Sequence, residues 1–487
     1  MKNKSILISI VGLILITGCD ERLNLDPHQS ISTNQAFETI DDFSYAINGM
    51  YAGARSGNLH GGHLMIYPDI MADNLTRSLE GRLTHTTLYN WTVSSDYYLM
   101  EGVFGQAYMV ILRANKVLEA ADEYSPADDS EQVELDHYKG QALAMRALMH
   151  MEMVKMFGKA YSLGNASDLG IPYVTYTEAS YPARDGLLDV YDLIMTDLND
   201  AYGLVDPSAT AKDQFTRTAI AGFQAKVAME MGDYTTVISK AKEALASVPV
   251  AARRNFYGVW KDENKDGVLF YIAVEKKDGV TLGVNYSQSS SAGIKSEYVC
   301  SYELFQLYDS ADIRLTSYIT TSEFEGNTYN HIEKYRGRSS SVEANPTPNL
   351  VDLKVLRAAD LSLLVAEANM IGASPNPVEA EEYMNAVRFN RYDTTMISFP
   401  PLNNLDLLDE IYLQRRLELA FEGDRLFVLK RLGLDIERTA DGQYADGSGV
   451  GADNLILEVS NYKMQLPIPQ SEMDVNPNIK EQQNPGY

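Results

Sequence analysis

Apolar side chains recur in steps of three and four through most of this chain, the spacing of an amphipathic helix. In NQAFETIDDFSYAINGMYAGAR they fall at Phe37, Ile40, Phe43, Ala46, Ile47, Met50 and Tyr51. VFGQAYMVILRANKVLEAADEY repeats the pattern through Val103, Ala107, Val110, Ile111, Ala114 and Leu118. A third helix, LDHYKGQALAMRALMHMEMVKMFG, is rich in Met and Ala and ends at Gly158, where a left-handed cap is expected. RDGLLDVYDLIMTDLNDAYGLV is a fourth.

RTAIAGFQAKVAMEMGDYTTVISKAKEAL reads as two helices joined by a tight turn at Gly232 and Asp233. Ala219, Ala221, Gly222 and Ala225 let the two approach closely, and Val237, Ile238, Ala241 and Leu245 carry the second stripe. This helix–turn–helix is similar to a tetratricopeptide unit. DLKVLRAADLSLLVAEANMIGASPNPVEAEEYMNAVR is a second such pair. The irregular spacing between pairs describes a degenerate array with long insertions. From about 249 to 351 the helical period is lost; a short β-run, GVLFYIAVE, and the Ser-rich NYSQSSSAG and YRGRSSSVE stand there. Insertions of that length are functional or mobile. The end, NYKMQLPIPQSEMDVNPNIKEQQNPGY, is punctuated by prolines that oppose helix, and is expected to lie extended against the body.

The first residues follow another pattern. Lys2 and Lys4 precede an uninterrupted apolar or small stretch from Ile6 to Ile16, too short to span a bilayer. That is a secretory signal. Its end, ITGC, resembles the lipobox of bacterial lipoproteins, so residues 1–18 are expected to be removed and Cys19 acylated. Residues 19–35 form a tether, and 36–487 a single domain: a helical scaffold at about 36–248 and 352–433, the insertion, and a tail at 462–487. Cys300, the only other cysteine, is then left without a partner and is expected to be a buried, inert thiol. Lys and Arg number 41 against 67 Asp and Glu, a net charge of −26, and losing Lys2 and Lys4 takes it to −28. Such a charge disfavours nucleic acid and anionic lipid surfaces, leaving the lipid as the only membrane contact.

Candidate chemistry concentrates between Tyr67 and Tyr98, where Asp73, Asn74, Arg77, Arg82, Trp91 and Tyr97 also fall. A sugar ring has apolar C–H faces and a hydroxyl rim, so it wants flat aromatic walls with Asp, Asn and Arg beside them. Trp91 serves equally well as a core aromatic. Tyr286 and Trp260 are lesser candidates. Asp262, Asn264 and Asp266 resemble the first half of a calcium loop, but position twelve is Ala273 where a bidentate Glu is needed. His60 and His63, in HGGH, lack further ligands nearby. Arg415, Glu418, Glu422 and Arg425 are spaced to share one helix face, with Gly423 as a break and Asp424 as an N-cap. Neighbouring arginines would hold these carboxylates ionised, which argues against a glycosidase pair. No nucleotide loop, serine elbow or zinc helix motif is present, and no cofactor is implied.

EIYLQRRLELAFEGDRLFVLKRLG and the terminal LPIPQSEMDVNPNIKEQQNPGY together resemble the SusD/RagB family of outer-membrane nutrient-binding lipoproteins. YKGQALAMRALMHMEMVKMFG, LRAADLSLLVAEAN and AEEYMNAVR support the resemblance in the same order. It implies a mainly α fold of four degenerate tetratricopeptide-like helix pairs in a superhelix, with an irregular, loop-rich half carrying a few short strands. It further implies glycan capture and docking onto a SusC-like TonB-dependent transporter. Capture of peptides or another nutrient is the alternative, and a glycan-degrading enzyme is disfavoured.

Overall fold

A computed structural model describes residues 36–487; Cys19 and the stretches expected to be a signal peptide and a tether lie outside the described residues. Each apolar stripe becomes a helix with that stripe buried. In α1 (Ile40–Ala54) the inward residues are Phe43, Ile47, Met50 and Tyr51, and a Thr39–Asp42 capping box starts it. Then come α2 (His63–Met71), α3 (Tyr98–Glu123), α4 (Asp129–Phe157), α5 (Leu187–Leu204), α6 (Arg217–Met231) and α7 (Tyr234–Ser247). After the insertion follow α8 (Ala358–Ile371), α9 (Pro377–Arg388), α10 (Asn404–Glu418) and α11 (Arg425–Leu432).

The array forms four pairs, α1/α3, α4/α5, α6/α7 and α8/α9, each packed on the next. Local signals set the α6/α7 turn. Gly232 is left-handed at φ +75°, and the Asp233 carboxylate accepts from the Thr236 amide. At Gly222 a Cβ would stand 2.6 Å from Leu356, so α6 needs that small residue. Gly158 differs from expectation. It leaves α4 extended, at φ −95° and ψ 171°, and a Cβ there would stand 2.7 Å from the Val154 carbonyl oxygen. Close approach, not a left-handed turn, accounts for it.

The irregular half is built from segments far apart in sequence. β1 (Leu75–Arg77), β5 (Tyr298–Cys300), β7 (Asn327–Ile332) and β6 (Ile319–Phe324) form an antiparallel sheet in that order, with Leu75 opposite Cys300 and Val299 opposite His331. The β-run in GVLFYIAVE is β2 (Val268–Ile272), paired with β8 (Leu353–Arg357). The Ser-rich stretch is no loop: β3 (Ser287–Ser290) and β4 (Gly293–Ser296) make a hairpin, with the Ser287 and Ser296 hydroxyls bonded at 3.0 Å. A continuous apolar core runs from Phe43 to Ile479. The tail takes part through Met464, Leu466, Ile468 and Ile479, and carries one short helix, Gln470–Val475.

Buried ions join the two halves at the end of α10. Glu418 accepts from Arg391 Nε at 2.8 Å and Arg357 Nη1 at 2.7 Å, with Arg314 at 3.6 Å. Burial alone would push its carboxyl up; Arg391, Arg357 and Arg314 hold it far below the usual range. Because α10 stops at Glu418, the expected single helix face does not exist. Glu422 instead pairs with Lys334 and Arg357, and Arg425 with Asp73. Asp424 precedes α11 without capping it, its carboxylate being taken by Arg415.

Candidate functional site

The start of α2 places His63 and Tyr67 one turn apart, and their rings stack at 4.5 Å and 15°. His85 arrives from the following loop and meets both edge-on, at 5.8 and 5.3 Å. Tyr97 and Tyr98, at the start of α3, add an edge-to-face pair at 5.6 Å beside Tyr67. Tyr98 is 70% exposed. The loop is unusual: Leu83, His85 and Trp91 all hold positive φ, 54–58°, which costs a non-glycine residue about 1 kcal/mol or more apiece.

Burial, then His85, lowers the His63 pKa to about 4, and burial lowers that of His85 to about 4 against the pull of Glu297. Both rings are neutral near pH 7, each able to donate and to accept a hydrogen bond. His63 Nδ1, His85 Nδ1 and the Tyr67 hydroxyl have no hydrogen-bond partner among the described residues. His63 also lines a cleft of about 570 Å³, with Arg55, Asn58, Asp278, Thr281 and Asn285 along its walls. Arg55 and Asp278 pair at 3.2 Å. A larger groove, about 830 Å³, lies on α3, α4 and α5. Its two cations are already paired, Arg146 with Asp197 and Lys139 with Asp122, and none of its lining residues is among those with unpaired buried polar atoms.

Of the residues singled out in the sequence, Arg82, Tyr97 and Tyr98 reach the surface of this region, and Tyr67 reaches it only as a fully buried ring beneath them, which corrects its expected place on an open ligand wall. Asp73, Asn74, Trp91 and Tyr286 do not; each is buried, which corrects the expectation of an open ligand wall. Asp73 is held by Arg425 and Arg416, and Asn74 Oδ1 accepts from Arg416. The Tyr286 hydroxyl donates to Asp69. Trp91 donates its indole N–H to the Met71 carbonyl, and the Arg438 guanidinium lies 4.1 Å from its ring and 4.2 Å from that of Tyr89. The same guanidinium donates to the carbonyls of Ile70, Met71, Ala72 and Tyr89, capping the end of α2. Trp91 is therefore a wall for an arginine inside the protein. Trp260 is buried as well.

The calcium candidate is also corrected. Lys354, Lys265 and Arg338 surround the Asp262 carboxylate, and Asn264 and Asp266 are engaged in local hydrogen bonds. Burial opposes the charge, but Lys354 and Lys265 hold the Asp262 pKa down to about 2. Three cations at one carboxylate repel a divalent ion. Among the described residues no group of three His, Cys, Asp or Glu could hold a metal. His60 is buried at 2% exposure. Cys300 is buried, and burial pushes its thiol far up, so it is unreactive. Sequence reasoning missed His85 and Asn285 altogether and left His63 without a role once a metal site was set aside. The step of four from His63 to Tyr67 on one helix was the available signal.

Comparison with known proteins gives a consistent result. The SusD family model matches residues 278–487, and a second, described as starch-binding and associating with the outer membrane, matches residues 24–229. SusD-like protein P2 of Formosa agariphila is 25% identical over 531 residues, covering 98% of each chain. A SusD superfamily protein from Bacteroides thetaiotaomicron superposes with a TM-score of 0.79 at 23% identity, over 92% of this chain and 100% of that one. A SusD-like carbohydrate binding protein from Bacteroides vulgatus gives 0.76 at 18% identity, over 91% and 97%.

Proposed function

This chain belongs to the SusD/RagB family, and from that premise we propose that it captures an oligosaccharide at the outer-membrane surface and passes it to a SusC-like TonB-dependent transporter. The observation that carries this reading is an aromatic patch, Tyr97 with the exposed Tyr98, beside the half-buried rings of His63 and His85, with His63 also lining the 570 Å³ cleft. Tyr97 and Tyr98 supply flat faces for sugar C–H groups. His63, His85, Asn58 and Asn285 supply donors and acceptors for hydroxyls, over the buried Tyr67 ring. The matched family's description as starch-binding supports the choice of a sugar over a peptide. The role is capture and not cleavage: Glu418 and Glu422 are tied to buried cations. Cys19 is the proposed anchor, holding the body at the membrane through its lipid.

An open surface of this kind binds weakly, at ~1 kcal/mol per stacking or hydrogen-bond contact. Dissociation constants from micromolar to millimolar are expected, on the order of 4–8 kcal/mol, and such binding suits a protein that must release its cargo. The test is a glycan array with the soluble form beginning after Cys19, followed by calorimetry on the best hit. The double substitution Tyr97→Ala, Tyr98→Ala should weaken binding about tenfold or more, two lost contacts of ~1 kcal/mol each, with an unchanged circular dichroism spectrum. Undiminished affinity would move the site elsewhere.

A further inference from the structure

Glu297 sits between β4 and β5, 2% exposed, directly beneath the loop that carries Arg82 and His85. Its carboxylate accepts from the Arg82 amide at 2.9 Å, from Arg82 Nε, and from the Thr84 hydroxyl at 3.3 Å. Its carbonyl accepts from the Ser78 amide at 3.0 Å, and its amide donates to the Tyr286 carbonyl at 2.8 Å. The loop lies flush on this residue. A Cβ at Gly81 would stand 2.8 Å from the Ser296 carbonyl oxygen and 2.9 Å from the Glu297 Cα. The Tyr298 hydroxyl pins the Thr84 carbonyl at 2.7 Å. Gln288 of the hairpin, with its amide turned to satisfy both groups, accepts from Arg82 Nη2 at 3.0 Å. The Arg82 side chain above remains 54% exposed while the carboxylate below is 2% exposed.

We infer that Glu297 is the positioning residue of the ligand loop: it holds residues 78–85 in their left-handed turn so that His85 closes the aromatic patch, and it cancels the charge of Arg82 so that the guanidinium meets the ligand as a hydrogen-bond donor and not as an unbalanced cation. Glu297, its hairpin neighbour Gln288 and the adjacent Tyr298 supply the hydrogen bonds that hold Arg82 and Thr84 from below. Leu83 and His85, at φ +58°, would relax if that support were withdrawn. The inference rests on the proposed site and adds to it the residue that shapes it and tunes its charge preference.

Two measurements on Glu297→Gln test it, and the first needs no ligand. Trypsin cleavage after Arg82, followed by mass spectrometry of the released peptide, should be about tenfold faster in the variant, because a loop stripped of a buried charged partner opens more often. An equal rate overturns the inference whatever the protein binds. Should Glu297→Gln fail to fold, Thr84→Val removes one contact and keeps the buried ion pair; a two- to threefold faster cut is expected, and no change overturns the inference. The second measurement compares affinity for the best neutral oligosaccharide from the array with affinity for polygalacturonate. Glu297→Gln uncovers the Arg82 charge, so the neutral-to-anionic affinity ratio should fall about tenfold, a shift that loss of loop order alone would not produce. If Tyr97→Ala, Tyr98→Ala abolishes binding while Glu297→Gln leaves the ratio unchanged, the inference fails and the site stands. If the tyrosine variant binds normally, the site reading fails, and the cleavage rate still judges Glu297.

Discussion

Four carbonyl oxygens and two aromatic faces converge on one guanidinium at Arg438, which has no carboxylate within ion-pair distance among the described residues. Burial pulls its pKa down to about 10, with Tyr89 and Asp73 opposing. Replacing it leaves the end of α2 uncapped and Trp91 facing a void. Arg438→Ala should cost about 3–5 kcal/mol, and Arg438→Lys most of that, because an ammonium cannot span the fork. Urea unfolding of the purified body checks this; a fall in unfolding free energy of less than about 1 kcal/mol would refute the capping role. The case also shows why the sequence left Trp91 open between a ligand wall and a core aromatic. Its indole partner lies at Met71 and its cationic partner at Arg438, and nothing beside Trp91 in the chain announces either. Tyr67 was singled out because the chemistry around it, aromatic and polar together, is local, but that local pattern does not report that its ring ends up buried. Cys300 was legible because its immediate neighbours are apolar.

Helices were read well where their signals are contiguous. The α6/α7 pair needs only its stripe, Gly232 and Asp233, all within one stretch of chain. Gly158 was misread because the reason for a glycine there is a neighbouring carbonyl and the Leu187 side chain, and not the local turn. The β1–β5–β7–β6 sheet was out of reach, since pairing Leu75 with Cys300 depends on register across the chain. The tail was expected to pack on the body, and its side chains show how. Asn484 donates to the carbonyls of Phe157 and Leu466 and accepts from Arg184, while Gln482 accepts from the same arginine. Deleting Gln470–Tyr487 would strand the buried Arg184 guanidinium and expose the surface under Ile479, a loss of about 5 kcal/mol. At an unfolding entropy of ~2.1 cal/mol/K per residue, each kcal/mol is worth only about 1 °C in a body of ~450 residues. Calorimetry should therefore show a midpoint about 5 °C lower; an unchanged midpoint would mean that the tail adds nothing.

The assembled body is an acidic particle proposed to hang from one lipid. Acylation contributes ~0.8 kcal/mol per buried methylene, which makes several chains on Cys19 a durable hold, while a net charge of −26 keeps the protein itself off anionic headgroups. Cys19→Ala should move the protein from the carbonate-resistant membrane fraction to the soluble one or leave an uncleaved precursor; continued outer-membrane retention of the variant would exclude Cys19 as the anchor. The C-terminal clasp has a consequence of another kind, in the timing of folding. Asn484 closes over the end of α4, and Arg438 caps α2, so helices made early remain incomplete until partners 327 and 368 residues further along have been made. Such distant pairings pay their loop-closure entropy late and fold slowly. A chain that finishes folding late stays threadable for longer, which is the state that the export signal proposed at residues 1–18 would require.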